Sequence, residues 1–146
     1  MIELNILIRY DTLPNMKNNY KVIVKTLPQD APYDFEMSAA LVIANYFKSD
    51  IVFLRPGHLK SPDLLINHEI WELKSPKGNS KNTIHNTIKG ARKQSLNIII
   101  DLRRCKLNRN KAISNIKDSY KKRKRKIGKF YIIDKNGKIL DITNLT

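Results

Sequence analysis

Alternating apolar and polar side chains predict short β-strands along much of this chain. Clear examples are Ile2-Glu3-Leu4-Asn5-Ile6 and Lys21-Val22-Ile23-Val24-Lys25. Side chains on a strand point alternately to its two faces, so a period of two is typical of half-buried strands. The run at 97–102 is rich in isoleucine, which also favours a strand. The predicted strands cover residues 2–9, 20–26, 51–54, the two apolar runs around Asn67-His68, 97–102, 129–134 and 139–142.

Three other segments repeat their apolar residues at helical spacing. Asp34 is the predicted N-cap of the first helix, and Asn136-Gly137 predicts the turn of a C-terminal hairpin. The predicted order is hairpin, helix, three strands, helix, strand, helix, hairpin, which indicates an α/β (α+β) fold with a mixed central β-sheet flanked by helices. Residues 1–30 are predicted to form an N-terminal hairpin extension and 31–146 the main domain. The predicted helices cover 35–48, 80–95 and 109–126.

Composition narrows the class of protein. The single cysteine, Cys105, excludes an intrachain disulfide, and the longest apolar stretch, 39–47, is too short to span a bilayer. The formal net charge is +15. The positive charge is concentrated towards the C-terminal end, where residues 103–146 carry 15 Lys and Arg but only 3 Asp and Glu. Such a basic surface favours nucleic acid as the partner, because each phosphate that it neutralises releases counterions and so adds to the affinity. The alternatives are a membrane surface as the partner, or lysines that only keep the protein in solution.

Candidate chemistry lies between Pro62 and Lys74. Asp63 precedes Glu72 by nine positions and Lys74 follows Glu72 by two, so Glu72 and Lys74 share one strand face. Asp63 would meet them across the hairpin. Two carboxylates and an ammonium are suited to holding a divalent metal and activating water against a phosphodiester. The competing interpretation is an ordinary solvent-facing strand pair.

Two further residues extend this candidate site. Glu36 lies near the start of an otherwise apolar helix, where a carboxylate is costly to bury unless a cation meets it. Its alternative role is a favourable charge at a helix N-terminus. Gln94 belongs to a polar strip of the second predicted helix, which could line a groove; its alternative role is that of a plain surface residue. The histidines at 58, 68 and 85 lack metal-ligand spacing and are predicted to be turn or surface residues.

The order Asp63, Glu72, Lys74, with an acidic helix before it and a Gln-bearing helix and strand after it, resembles the PD-(D/E)XK nuclease superfamily. More narrowly, the phrases 61–63, 71–74, 91–95 and 98–102 resemble the C-terminal tRNA-nuclease toxin domains of contact-dependent growth inhibition proteins, also found in phage and mobile-element proteins. The resemblance covers about three-quarters of the chain and implies a restriction-endonuclease-like fold.

This resemblance also implies roles for the candidate residues. Asp63 and Glu72, with Glu36, would hold Mg²⁺ or Mn²⁺, since hard oxygen ligands suit these ions. Lys74 would orient the nucleophile or neutralise charge on the phosphate, and Gln94 would steady the nucleophile. The residues expected to hold the nucleic-acid backbone are Lys77, Lys81, Arg92, Lys93, Lys121, Lys122, Arg123, Lys124, Arg125 and Lys126.

The expected function is therefore metal-dependent cleavage of nucleic acid, with tRNA favoured over DNA because of the toxin resemblance alone. It implies an acidic immunity protein as partner, and action in the cytoplasm of a cell into which a larger secreted protein delivers the domain. Two alternatives remain open: a DNA endonuclease of a phage or mobile element, and a non-catalytic basic module that binds nucleic acid.

Overall fold

The computed structural model describes residues 6–8, 20–26, 28–54, 64–123 and 127–144. Its elements follow one another in the predicted order, with one additional 3₁₀ turn at Pro28–Asp30. The mixed sheet and the three helices confirm the predicted fold class. The chain divides into two compact units, Met1–Ile70 and Trp71–Thr146. The predicted boundary at residue 30 stays a prediction.

The first unit contains strands β1 to β4 and helix α1. Strand β2 pairs antiparallel with β1 and parallel with β3, and β3 pairs antiparallel with β4. A parallel pair needs a crossover connection, and α1 lies between β2 and β3 in the chain. The bounds are β1 Ile6–Ile8, β2 Val22–Val24, α1 Asp34–Phe47, β3 Ile51–Phe53 and β4 Leu64–Ile66.

Helix α1 begins one residue earlier than predicted. Asp34 is its first residue and Tyr33 is the N-cap, so the expected N-cap role of Asp34 was wrong. The backbone N–H of Tyr33 donates to Glu36 Oε1 at 3.0 Å, which satisfies a donor that the helix itself leaves open. At the other end, Lys48 adopts left-handed backbone angles (φ 51°, ψ 51°) and closes the helix.

A two-residue turn separates β4 from β5, which covers Glu69–Lys74. Asn67 and His68 both have positive φ, 49° and 66°. A type I′ turn requires positive φ at both central residues, and its twist matches that of the flanking strands. The predicted tight turn at this place is therefore confirmed.

The second unit is a parallel set of strands closed by a hairpin. Strand β6 pairs parallel with β5 and with β7, and β7 pairs antiparallel with β8. Apolar side chains of β6 and β7 pack against helices α2 and α3 in one buried cluster that includes Ile98, Ile100, Phe130 and Ile132. The bounds are α2 Lys81–Arg92, β6 Asn97–Asp101, α3 Arg109–Arg123, β7 Phe130–Ile133 and β8 Ile139–Asp141.

Sequence predicted the elements of this unit closely and their ends less well. Ile84, Ile88 and Ala91 form the buried stripe of α2, and the helix ends at Arg92 rather than at the predicted residue 95. Gly137 has φ +80°, as the predicted C-terminal turn requires. Within the described residues, no helix is long and apolar enough to cross a membrane.

Candidate active site

The candidate site in the second unit is built on β5. Glu72 is 0% exposed, and its Oε1 lies 2.8 Å from Lys74 Nζ. The predicted shared face is confirmed by this ion pair. Glu72 lies opposite Ile98 and Lys74 opposite Ile100, and both isoleucines belong to the cluster that α2 and α3 cover. The carboxylate is therefore held beside an apolar core, where a charge is costly unless a cation compensates it.

The opposite face of β5 is also buried. Trp71 and Leu73 are 2% and 3% exposed, and the Trp71 ring lies 5.6 Å from that of Tyr131. Trp71 therefore packs into the core. Because Glu72 lies between them with no exposed surface, the interpretation of Glu72 and Lys74 as a solvent-facing strand pair is wrong.

The loop after β5 is held close to the start of α2. Gly78 carbonyl oxygen accepts hydrogen bonds from Lys106 N at 3.2 Å and from Cys105 Sγ at 3.5 Å. A Cβ at Gly78 would lie 2.3 Å from Thr83 Oγ1, so only glycine fits this approach. Ser80 caps α2 by accepting a hydrogen bond from Thr83 N at 3.3 Å. This packing positions the loop that carries the exposed Lys77.

Most of the predicted nucleic-acid contacts that the structure describes are accessible. Lys77, Lys81 and Lys93 are exposed around α2, as are Lys121 and Lys122 in the last turn of α3. Arg92 and Arg123 are half-buried, and Arg92 Nε is buried with no hydrogen-bond partner among the described residues. The remaining basic residues of the run, Lys124, Arg125 and Lys126, lie outside the described residues.

The other predicted site residues are distributed differently from the expected constellation. Glu36 lies in the first unit, half-buried, with one carboxylate oxygen capping α1. Asp63 lies outside the described residues. Gln94 lies in the turn after α2, where its backbone N–H donates to Ala91 O at 2.9 Å, and not on the helix as expected. Among the described residues, no three or more His, Cys, Asp or Glu side chains form a group that could hold a metal.

Two buried carboxylates at the ends of neighbouring strands were not anticipated from the sequence. Asp101, the last residue of β6, accepts hydrogen bonds from Arg103 Nε at 3.0 Å and Nη2 at 2.8 Å. Asp134, directly after β7, lies 3.2 Å from Arg109 Nη2. The only local indication of the Asp101–Arg103 pair in the sequence is that the two residues lie two positions apart, directly after a run of isoleucines. Both pairs compensate a buried charge with an arginine, as expected of ion pairs that support a fold.

The backbone around Asp134 adds to this compensation. Its Oδ1 accepts hydrogen bonds from Asn136 N at 2.9 Å and Lys138 N at 3.0 Å. Burial raises the pKa of Asp134, but the two backbone donors and the Arg109 guanidinium outweigh it, so the pKa lies below its ordinary value. Asp134 thus stabilises the β7–β8 turn as a carboxylate.

A further polar cluster joins α2 to α3. Ser119 is 0% exposed, and its Oγ is hydrogen-bonded to His85 Nδ1 and to Arg123 Nη1, the latter at 3.2 Å. His85 had been predicted to be a turn or surface residue. No local pattern could have revealed this contact, because His85 and Ser119 are 34 positions apart.

Comparison with known proteins gives two findings. A family model described as the contact-dependent growth inhibition CdiA C-terminal domain matches residues 60–139. The fold is similar to that of a chain in the CdiA-CT/CdiI toxin and immunity complex from Burkholderia pseudomallei, with a TM-score of 0.55 and 23% sequence identity over 81% of this chain and 96% of that chain. No curated protein matches the chain.

Proposed function

This chain belongs to the family of contact-dependent growth inhibition CdiA C-terminal domains, and from this premise we propose that it is a metal-dependent nuclease of the PD-(D/E)XK type. The observation that carries the proposal is the buried Glu72 carboxylate with Lys74 Nζ at 2.8 Å, two positions along the same strand. The order Asp63, Glu72, Lys74 resembles the PD-(D/E)XK motif, and this resemblance implies that these residues serve metal-assisted phosphodiester hydrolysis.

Glu72 fits a hard divalent cation because it presents carboxylate oxygens at a fixed position. Asp63 and Glu36, with the Leu73 carbonyl, would complete the donor set for Mg²⁺ or Mn²⁺. When bound, such an ion supplies Lewis acidity and an activated water. Lys74, whose side chain is 33% exposed, can both neutralise Glu72 and reach towards a phosphate. Its compact ammonium would offset negative charge that develops on the phosphate during cleavage, and Gln94 would steady the nucleophile.

We favour tRNA over DNA as substrate. The support is the family membership and the resemblance of the motifs to tRNA-nuclease toxin domains. The exposed lysines Lys77, Lys81, Lys93, Lys121 and Lys122 would hold the phosphate backbone. The site of action would be the cytoplasm of a target cell, after delivery as part of a larger secreted protein.

An acidic immunity protein is the proposed partner. The similar solved structure is a toxin and immunity complex. A chain with a formal net charge of +15 suits an acidic partner, since complementary charge accelerates association and excludes wrong partners.

A second candidate is a non-catalytic basic module that binds nucleic acid. The observation in its favour is the ion pair itself, because a fully buried carboxylate with a lysine 2.8 Å away is also what a purely structural pair requires. A DNA endonuclease is the remaining alternative, with the same site and a different substrate.

One experiment separates these possibilities. Purified chain is incubated with tRNA or plasmid DNA in Mg²⁺, Mn²⁺ or EDTA, and the same is done for Asp63→Ala, Glu72→Gln and Lys74→Ala. Each variant should lose at least about 100-fold in cleavage rate while binding stays salt-sensitive. Glu69→Gln is the matched control: it lies in the same strand, three residues from Glu72 and so on the other face.

The outcomes are distinct. Metal-dependent cleavage of tRNA that the variants lose supports the proposal, and cleavage of DNA alone supports the endonuclease. If the unmodified chain binds both nucleic acids but cleaves neither in any metal, the enzyme proposal is wrong and the binding module is favoured. Near-normal cleavage by Glu72→Gln would also contradict the assigned site.

A further inference from the structure

The cluster between α2 and α3 has the features of an anion-binding site. We define the α2–α3 cluster as Lys81, His85, Ser119, Lys122 and Arg123. Lys81 lies one helical turn before His85 on α2, and Ser119 lies one turn before Arg123 on α3. The cluster thus places side chains from both helices around one half-buried imidazole.

The hydrogen bond to Ser119 holds the imidazole ring of His85 in place. An arginine guanidinium can only donate, so Ser119 Oγ accepts the hydrogen bond from Arg123 Nη1. Ser119 is fully buried, and among the described residues its only other hydrogen-bond partner is His85 Nδ1. When the ring is neutral the hydroxyl can donate to Nδ1, and when the ring is protonated Nδ1–H donates to Ser119 Oγ instead. With Nδ1 engaged by Ser119, Nε2 is the ring nitrogen that can donate to a further ligand in both states.

The charges around this imidazole are mainly positive. Burial lowers the pKa of His85 below its ordinary value, and Lys122, Arg123 and Lys81 lower it further, while Asp118 opposes them. Burial and cations from two helices thus both disfavour the charged form of this ring. Because like charges held together are unfavourable, an anion at this place would relieve the repulsion.

An additional donor lies nearby on α3. Asn115 is 7% exposed, and its Nδ2 has no hydrogen-bond partner among the described residues. It precedes Ser119 by one helical turn, so both side chains project from the same side of α3. A buried amide donor without an acceptor is uncommon in folded proteins and is a second indication of a missing ligand.

We infer that the α2–α3 cluster binds a phosphodiester group of the nucleic-acid backbone and that His85 takes up a proton from solvent when it does so. The inference rests on the proposed function, since it names where the substrate is held. Lys81 and Lys122 are exposed and can contact the phosphate directly. A nearby anion favours the charged imidazole, so binding and protonation strengthen each other.

Proton uptake at one group predicts a defined pH dependence. At pH values between the pKa of His85 in the free chain and its pKa in the complex, the dissociation constant for nucleic acid rises by up to about tenfold per pH unit. Binding of fluorescein-labelled tRNA in EDTA, at constant ionic strength, should therefore weaken from pH 5.5 to pH 7.5 by about three- to tenfold. EDTA prevents metal-dependent cleavage, so the measurement reports binding alone.

Two variants and one spectroscopic measurement test the role of His85. His85→Gln should bind at pH 5.5 about as weakly as the unmodified chain binds at pH 7.5, with a flat profile. His68→Asn is the matched control, because His68 lies in an exposed turn with φ 66°, a conformation that asparagine tolerates. In the unmodified chain, NMR titration of the imidazole signals should show that tRNA raises the pKa of His85.

Each outcome has one meaning. A His85→Gln profile that matches the unmodified chain, or no rise in the pKa of His85 with tRNA, overturns the inference even if the chain cleaves tRNA. An equal effect with a DNA duplex supports a phosphodiester site that ignores the sugar, whereas an equal effect with heparin overturns the phosphodiester assignment. If the pH effects are present but no cleavage occurs in Mg²⁺ or Mn²⁺, the proposed nuclease activity fails and the inference stands.

Discussion

Replacing Lys74 with methionine removes the ammonium that lies 2.8 Å from the Glu72 carboxylate, while keeping a side chain of similar length. At this separation, an effective dielectric constant of about 20 gives a gross attraction of about 6 kcal/mol. The cost of taking both charges out of water offsets much of that. Breaking a buried pair costs about 3–5 kcal/mol, because one charge stays buried. Since the Lys74 side chain is 33% exposed, we expect Lys74→Met to cost about 2–4 kcal/mol in the free energy of unfolding.

A double-mutant cycle separates the ion pair from other effects of the substitution. In Glu72→Gln/Lys74→Met both charges are absent, so no carboxylate is left buried beside the apolar core. Replacing a whole buried pair is often nearly neutral. We therefore expect the double variant to be more stable than Lys74→Met alone, with a coupling free energy of about 2 kcal/mol.

Urea unfolding monitored by tryptophan fluorescence suits this measurement. Trp71 is the only tryptophan of the chain, is 2% exposed, and directly precedes Glu72. Its emission will therefore report exposure of β5 itself. Lys135→Met, at an exposed lysine of the β7–β8 turn, controls for the loss of one positive charge. A Lys74→Met variant within about 0.5 kcal/mol of the unmodified chain, the usual range for surface substitutions, would refute this reasoning. The reasoning would also be refuted if Glu72→Gln/Lys74→Met were as unstable as Lys74→Met alone.

Three further predictions concern the same unit. The pKa of Asp134 is lower in the folded chain than in the unfolded chain. Its contribution to the free energy of unfolding is therefore present above the unfolded pKa and is lost as the pH falls through the folded pKa. Asp134→Asn should remove this loss, so that the free energy of unfolding measured in urea varies less between pH 2.5 and 6. Gly78→Ala should lower the free energy of unfolding by about 1–3 kcal/mol, because the added methyl group would clash with Thr83. Gly90→Ala should raise the free energy of unfolding by about 0.5–1 kcal/mol, because Gly90 lies inside α2 and a Cβ there meets open space. Ser80→Ala should remove the cap of α2 and cost about 1 kcal/mol, seen as a lower thermal midpoint by circular dichroism; an unchanged midpoint would contradict the capping role.

Local physics explains which structural features were predictable from sequence. The type I′ turn at Asn67-His68 follows from two residues that tolerate positive φ between two apolar runs. The buried stripe of α2 follows from the period of its isoleucines. Helix ends were less predictable. Residues 93–95 carry no Gly or Pro to stop α2, and its end at Arg92 depends on backbone hydrogen bonds such as Gln94 N to Ala91 O.

In the candidate site, too, some features followed from the local sequence and others only from the folded structure. The sequence alone determined that Glu72 and Lys74 share a strand face, because that depends only on the two-residue period of a strand. Whether that face meets water or a core was decided by the tertiary structure, in which Glu72 lies beside Ile98 of β6 and is 0% exposed. The same holds for His85 and Ser119, 34 positions apart. Local periodicity sets the direction of a side chain, but its dielectric surroundings and its partners come from elements that are distant in sequence and meet only when the chain folds.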